Sequence, residues 1–404
     1  MVDKVTKLIS LIPKAELHSH LDGCVRPETA VKIAKATGVK YPTYDAKKFA
    51  NEFLKDKYAN LVEMLNLFGL FIDVMKTVES LEQVAYEYAH DYINDNVFYV
   101  EVRFAPQFHV GKNIKTIEEV LVAVNAGLGR AAQEHNSKPE VIRGEKPAFK
   151  YGIISCIMRS LCHGLSEYFD NLLDSFKYSD PKKAHVQAGK ELVLASIIAK
   201  EKHKVPVVAI DLAGGENGNP CEDFLEPFEL ARKHLLNITI HAGEADGPES
   251  IFNAVAVVGA QRVGHALHLY DSGMSKRPNA ADFSAELAQY LAKKKIGIEV
   301  NITSNMQTYE VLKTYSDHPL RKMMNDKLTT CICCDNKTIS KTSISKEMGI
   351  AAKAFNLTFD EIKVLTFNSF DQCFYPGTQA EKLEYIQSVK KYYDKVEAEI
   401  LASK

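Results

Sequence analysis

Residues Lys14 to Gly23 read KAELHSHLDG, with His18, His20 and Asp22 at every second position. In an extended strand, residues i and i+2 share a face. These three therefore project one way, while Leu17, Ser19 and Leu21 project the other. Two imidazoles side by side form half of a metal site, or are two unrelated buried histidines. Partners elsewhere decide between these, and the chain offers several. Asp211 and Gly214 end the run VPVVAIDLAG, His241 and Glu244 end NITIHAGE, His265 ends RVGH, and Asp335 and Asn336 follow LTTCICC. Singly, each has a plainer role as a hydrogen-bonded core histidine or a helix-capping aspartate. Together, three or four imidazole nitrogens, one carboxylate, and a spare glutamate and histidine describe a catalytic zinc site with an open position.

That reading needs a fold that brings the run ends together. Eight apolar or β-branched runs are legible: 15–21, 97–104, 150–158, 205–213, 237–242, 262–266, 296–301 and 328–334. Most are continuously apolar rather than alternating, which suits strands buried on both faces of a parallel sheet. Helical patterns separate them. Thr116 with Glu119 forms a capping-box signature before EEVLVAVNAGLGRAA, and Lys190–His203 is amphipathic. Eight strand–helix units predict a (β/α)₈ barrel, in which all strand ends open on one mouth. The whole chain, 1–404, is expected to be one such domain.

The first connection is unusually long. Between Val25 and Asn96 lie several helical patterns, one bracketed by Pro27 and Gly38 and another capped by Ser80 with Gln83 and running to about Asp95. An insertion over 25–96 directly after HSHLDG would lie over the barrel mouth, so it is expected to be a lid. After Asn356, a capping box at Thr358–Glu361 and a final helix from about Gln379 read as packing.

Composition narrows the function. A net charge of −2 gives no basic surface for nucleic acid or anionic membrane. No run of 18 apolar residues exists, and MVDKVTKLIS does not resemble a signal peptide. Eight cysteines without framework spacing fit reduced thiols and a cytoplasmic setting. Cys331, Cys333 and Cys334 cluster as CICC, but with no second pair to close a tetrahedron they read as small apolar strand residues. Oligomeric state is not legible.

The quoted motifs, in this order across roughly residues 10–370, resemble the adenosine deaminase family of amidohydrolase barrels. The resemblance implies one Zn²⁺ per chain held by His18, His20, His241 and Asp335. It implies Glu244 as proton donor to the purine ring and His265 as the group orienting the attacking water, with Asp335 serving catalysis as well as the metal. It places the Gly214 N–H and Asn336 against the purine, His20 beside the substrate and Asp22 at the ribose 5′-hydroxyl. Adenosine and 2′-deoxyadenosine are then the expected substrates, and purine salvage the expected setting.

Two positions depart from that pattern. Asn336 stands where many relatives carry a second aspartate; facing purine N7, an amide NH₂ donates without prior protonation. Gly215 removes a carboxylate from DLAGDE, here DLAGGE. Other classes fit less well. The cytidine-deaminase signature needs P-C-x-x-C, and Pro220-Cys221 is followed by no second cysteine at that spacing. No lysine lies in the fourth strand to bridge two metals. Within the family, Asp22 opposes the phosphate of AMP, and adenine would leave Asp22 unpaired. A non-catalytic signalling relative would not need the complete chemical set.

Overall fold

In the computed structural model, which describes residues 2–402, eight strands form. They are β1 (Lys14–His20), β2 (Val97–Phe104), β3 (Lys150–Met158), β4 (Val207–Ala213), β5 (Asn237–Ala242), β6 (Arg262–His265), β7 (Gly297–Val300) and β8 (Thr329–Ile332). Neighbours pair in parallel in the order β1 to β8. The ring closes past the end of β8. Asp335 bridges Ser19, the His20 N–H donates to the Asp335 carbonyl, and the Asp335 N–H donates to the His18 carbonyl, both at 2.8 Å. This is the expected (β/α)₈ barrel.

Every residue of β2 and β4 is buried, one face by the barrel interior and the other by the helices outside. The interior is charged at its centre. Glu101, Arg103, Arg262 and Glu299 are each fully buried and paired with one another. One apolar cluster runs from Leu8 to Ile400 and joins the helices to the outer strand faces.

The capping boxes at Thr116 and Thr358 form as read, as does the Pro27–Thr37 helix with Gly38 left-handed beyond it. Two helix starts are corrected. The helix assigned to a Ser80 cap starts earlier: Thr77 is its cap, Ser80 reciprocates from the third position, and the helix spans Val78–Asn94. The stretch read from Lys190 begins at Pro181, where Asp180 caps it. Val78–Asn94 packs on β2 and the Ile117–Asn136 helix as an ordinary barrel crossover, while Leu61–Val74 is the helix that reaches the mouth. The last helix is Gln379–Ala402.

All eight cysteines are free. Cys331 lies in β8 against Phe370 and Tyr385, as a small apolar residue would. Among the described residues, no helix is long and apolar enough to cross a membrane.

Candidate active site

A cavity of about 480 Å³ opens at the carboxyl ends of the strands. His20, Asp22, Gly214, His241, Glu244, His265, Asp335 and Asn336 all line it, with Leu61, Met64, Phe68 and Ile72 of the Leu61–Val74 helix across from them. His18 lies beneath, fully buried. Local backbone puts these groups where they are. His265 and Asp335 turn out of their strands with φ of 65° and 61°, a conformation non-glycine residues adopt at a cost. Gly264 leaves room under the cluster, since a Cβ there would stand 2.8 Å from His18 Cε1.

The metal-type atoms converge. Asp335 Oδ1 lies 3.5 Å from His18 Nε2 and 3.4 Å from His20 Nε2, and the Nε2 atoms of His20 and His241 are 3.1 Å apart. Two donors each about 2.0–2.1 Å from a tetrahedral zinc stand roughly 3.4 Å from one another, so the spacing fits such an ion. His18 Nε2 is also buried with no hydrogen-bond partner, which suits a metal-ligating atom. By distance alone the group includes His265 too: ligand atoms of His18, His241, His265 and Asp335 all lie within 4.8 Å of one another.

A layer of acceptors sets the rings. His18 Nδ1 faces Glu299 Oε2 at 2.7 Å, and His241 Nδ1 faces Asp211 Oδ1 at 3.1 Å. Each imidazole thus donates outward and presents its Nε2 lone pair inward. Arg103 spans both acceptors, 3.1 Å from Asp211 Oδ2 and 2.9 Å from Glu299 Oε2. The Ser304 hydroxyl donates to Asp335 Oδ2 at 2.6 Å. Burial alone would raise the Asp335 carboxyl, but the imidazoles around it hold it well below the usual carboxylate range.

Glu244 stands apart from that set. Its Oε1 is 3.7 Å from His265 Nε2, and burial, reinforced by the nearby charge of Asp335, pushes its carboxyl up to about 8. A neutral carboxyl beside a metal-type cluster is a proton donor in waiting. Asp22 is buried beside the cavity, accepts the Gly23 N–H at 3.2 Å, and is raised by burial to about 7. Gly214 has a φ of 97°, open to glycine, which turns the chain at the cavity wall; Gly215 also lines it, with open space around its Cα. Asn336 Oδ1 is buried without a partner.

The strand ends singled out in the sequence meet at one cavity, but several of the groups that support them were not singled out. Glu299, Arg103, Ser304 and Asn305 support the site without being part of any quoted motif, while Asp211 and Glu216, from the motif DLAGGE, support it through His241 Nδ1 and the turn that carries Glu244. A signal was available for two of them. Arg103, which shares its run with Glu101, and Glu299 are charges inside runs otherwise fit for full burial, and a charge there must be paired.

The chain matches the family model described as adenosine deaminase over residues 13–164 and 182–392. An adenosine deaminase of Clostridium perfringens is 32% identical over 375 residues, 92% of this chain and 97% of that one. Among solved structures, a cog1816 amidohydrolase from Burkholderia ambifaria with bound Zn superposes with a TM-score of 0.76 at 20% identity, covering 98% of this chain and 95% of that one. The N6-methyl-AMP deaminase of Arabidopsis thaliana superposes with a TM-score of 0.71 at 22% identity, covering 96% and 99%. These two likenesses speak to the fold.

Proposed function

The chain belongs to the adenosine deaminase family, a family of hydrolytic deaminases, and from that premise we propose that it converts adenosine and 2′-deoxyadenosine to inosine-type products and ammonia. The observation that carries the reading is the meeting of His18, His20, His241 and Asp335 on the cavity floor, with the neutral carboxyl of Glu244 beside them.

One zinc per chain is the ion that donor set suits, with His18, His20, His241 and Asp335 holding it. When bound, it supplies a nucleophilic oxygen at neutral pH by lowering the pKa of water from ~15.7 to about 7. The rest is the chain's own work. Glu244 gives a proton to the ring nitrogen, which makes the adjacent amine-bearing carbon electrophilic. His265 orients the attacking oxygen. The Gly214 N–H and the Asn336 amide hold the purine edge, and Asp22 accepts the ribose 5′-hydroxyl.

Charge supports a nucleoside over a nucleotide. Asp22 and Asp73 line the cavity, but among the described residues no lysine or arginine does, so a 5′-phosphate would meet acidic side chains and no counter-charge. Deamination of free nucleosides in a single barrel unit is consistent with purine salvage in the cytoplasm.

The test is an absorbance assay of zinc-replete protein on adenosine, 2′-deoxyadenosine, adenine and AMP in parallel. Turnover of the two nucleosides well above the other two is expected. Preference for adenine or for AMP would reassign the substrate, and no turnover of any would make the chain a non-catalytic relative.

A further inference from the structure

Distance places His265 among the metal-type groups, yet its hydrogen bonds differ in kind from those of His18 and His241. Those two present Nδ1 to carboxylates, which can only accept. His265 presents Nδ1 to the amide of Asn305 at 3.0 Å, with the Asn301 amide nitrogen 3.4 Å from the same atom. An amide can face a ring nitrogen with either its oxygen or its NH₂, so this contact alone leaves the ring's proton unplaced.

The next two contacts remove that freedom. Asn305 Oδ1 meets His318 Nε2 at 3.2 Å, and His318 Nδ1 meets the main-chain N–H of Leu320 at 3.2 Å. A main-chain N–H only donates. His318 Nδ1 must therefore be the bare nitrogen and Nε2 the one carrying hydrogen. His318 is buried, and burial pushes its imidazole down to about 3, so it does not take a second proton at neutral pH. Its Nε2–H needs an acceptor, which fixes Asn305 with oxygen toward His318 and NH₂ toward His265. Turning the amide over would set NH₂ against N–H in a fully buried position. His265 Nδ1 then accepts, and its proton sits on Nε2. That Nε2 is buried at the cavity without a hydrogen-bond partner, and Glu244 Oε1 stands 3.7 Å from it.

We propose that Leu320 N–H, His318 and Asn305 form a one-way hydrogen-bond relay that holds His265 in its Nε2–H form. Asn305 and His318 are thereby positioning residues for the reaction. His265 donates to the attacking oxygen and has no lone pair to offer a metal, whereas His18 and His241 offer theirs. The proposal rests on the deaminase reading only for what accepts that hydrogen bond; the tautomer itself does not depend on activity.

Selective ¹⁵N labelling of the histidines of zinc-loaded protein reads the tautomer directly, with His265→Gln identifying the His265 signals. The expected pattern is a protonated Nε2 and a bare Nδ1 at His265, against a protonated Nδ1 at His18 and His241. A protonated Nδ1 at His265 in the unaltered protein overturns the relay, whatever the activity assay shows. Asn305→Asp then reverses the first link, since a carboxylate only accepts. It should move the proton to Nδ1, keep one zinc per chain, and lower kcat about 10- to 100-fold with little change in KM. An unchanged spectrum and kcat in that variant also overturns the proposal. A standing tautomer without turnover of any purine would sink the substrate reading and leave the relay intact.

Discussion

The carboxylate of Glu216, on the loop after β4, accepts the main-chain N–H of Glu244 at 3.0 Å. It also accepts the N–H groups of Gly243, Ala245 and Asp246 at 2.7, 2.7 and 3.1 Å, and the Ser250 hydroxyl. Four successive amides converging on one carboxylate form an anion nest, here filled from within the chain. The turn that aims Glu244 is thus tied to the neighbouring strand end. Glu216→Ala should leave those amides unsatisfied and cost about 1–3 kcal/mol of stability, with a larger proportional loss in kcat than in zinc content. A variant with normal kcat would show that the turn holds its shape unaided.

Glu299 anchors the other side. Its carboxylate takes His18 Nδ1, Arg103 Nη2, Arg262 Nε and the Thr239 hydroxyl, all fully buried. Removing it takes one of two carboxylate partners from each guanidinium, leaving Arg103 with Asp211 and Arg262 with Glu101, so Glu299→Leu should destabilise by roughly 3–5 kcal/mol in urea unfolding, the range for breaking a buried pair. Zinc affinity should fall about 10- to 100-fold as His18 loses its acceptor. Burial alone would raise this carboxyl, but the two arginines hold it well below the usual range. Its stabilisation is therefore present above the unfolded value of about 4.3 and fades only as pH falls toward the lower folded one. Unfolding midpoints that are flat through mild acid at this site would agree; a Glu299→Leu protein as stable as the parent would not.

These two carboxylates also mark what the sequence could and could not say. Apolar runs and strand-end histidines were enough to place β1, β5, β6 and the chain after β8 around one mouth, because a buried parallel barrel writes itself as uninterrupted apolar segments. Glu299 left a trace, as a charge inside IGIEVN. Asn305 and His318 left none, since the placing of the Ile302–Thr308 helix and of the segment holding His318 depends on packing between distant parts of the chain. The separate roles of the helices within 25–96 were not legible for a related reason. Val78–Asn94 carries the same amphipathic pattern whether it covers a cavity or a barrel wall, and only its contact with β2 distinguishes them.

Asp22 should gate the 5′ position. It sits in the cavity wall, buried, and accepts the Gly23 N–H through Oδ1. Asp22→Ala should weaken kcat/KM for adenosine by roughly 1–3 kcal/mol, the loss for a buried polar partner left unmade. Any residual turnover of adenine, which does not extend to that residue, should change much less. Equal losses on the two substrates would mean that Asp22 supports the metal site rather than the ribose.

Glu244 should do proton chemistry and not hold the metal. The nearest nitrogen of the cluster it meets is His265 Nε2 at 3.7 Å, while four other groups already satisfy a tetrahedral ion. Burial and the charge of Asp335 lift its carboxyl to about 8, so at neutral pH it still carries the proton it is asked to give. Activity that needs this proton is present below that value and is lost as pH rises through it. A bound cation favours the ionised form and pulls the midpoint down, so the alkaline limb of kcat/KM should fall at or below about pH 8. Glu244→Gln keeps the shape and a hydrogen-bond donor but cannot transfer a proton. The variant should retain one zinc per chain and near-normal binding of an unreactive purine nucleoside, while kcat falls by at least about a hundredfold and its alkaline limb disappears. A glutamate that merely shaped the turn would tolerate the amide, because Glu216 fixes that turn through the main chain. Near-normal kcat in zinc-replete Glu244→Gln protein would therefore remove the proton-donor role, even in an active deaminase.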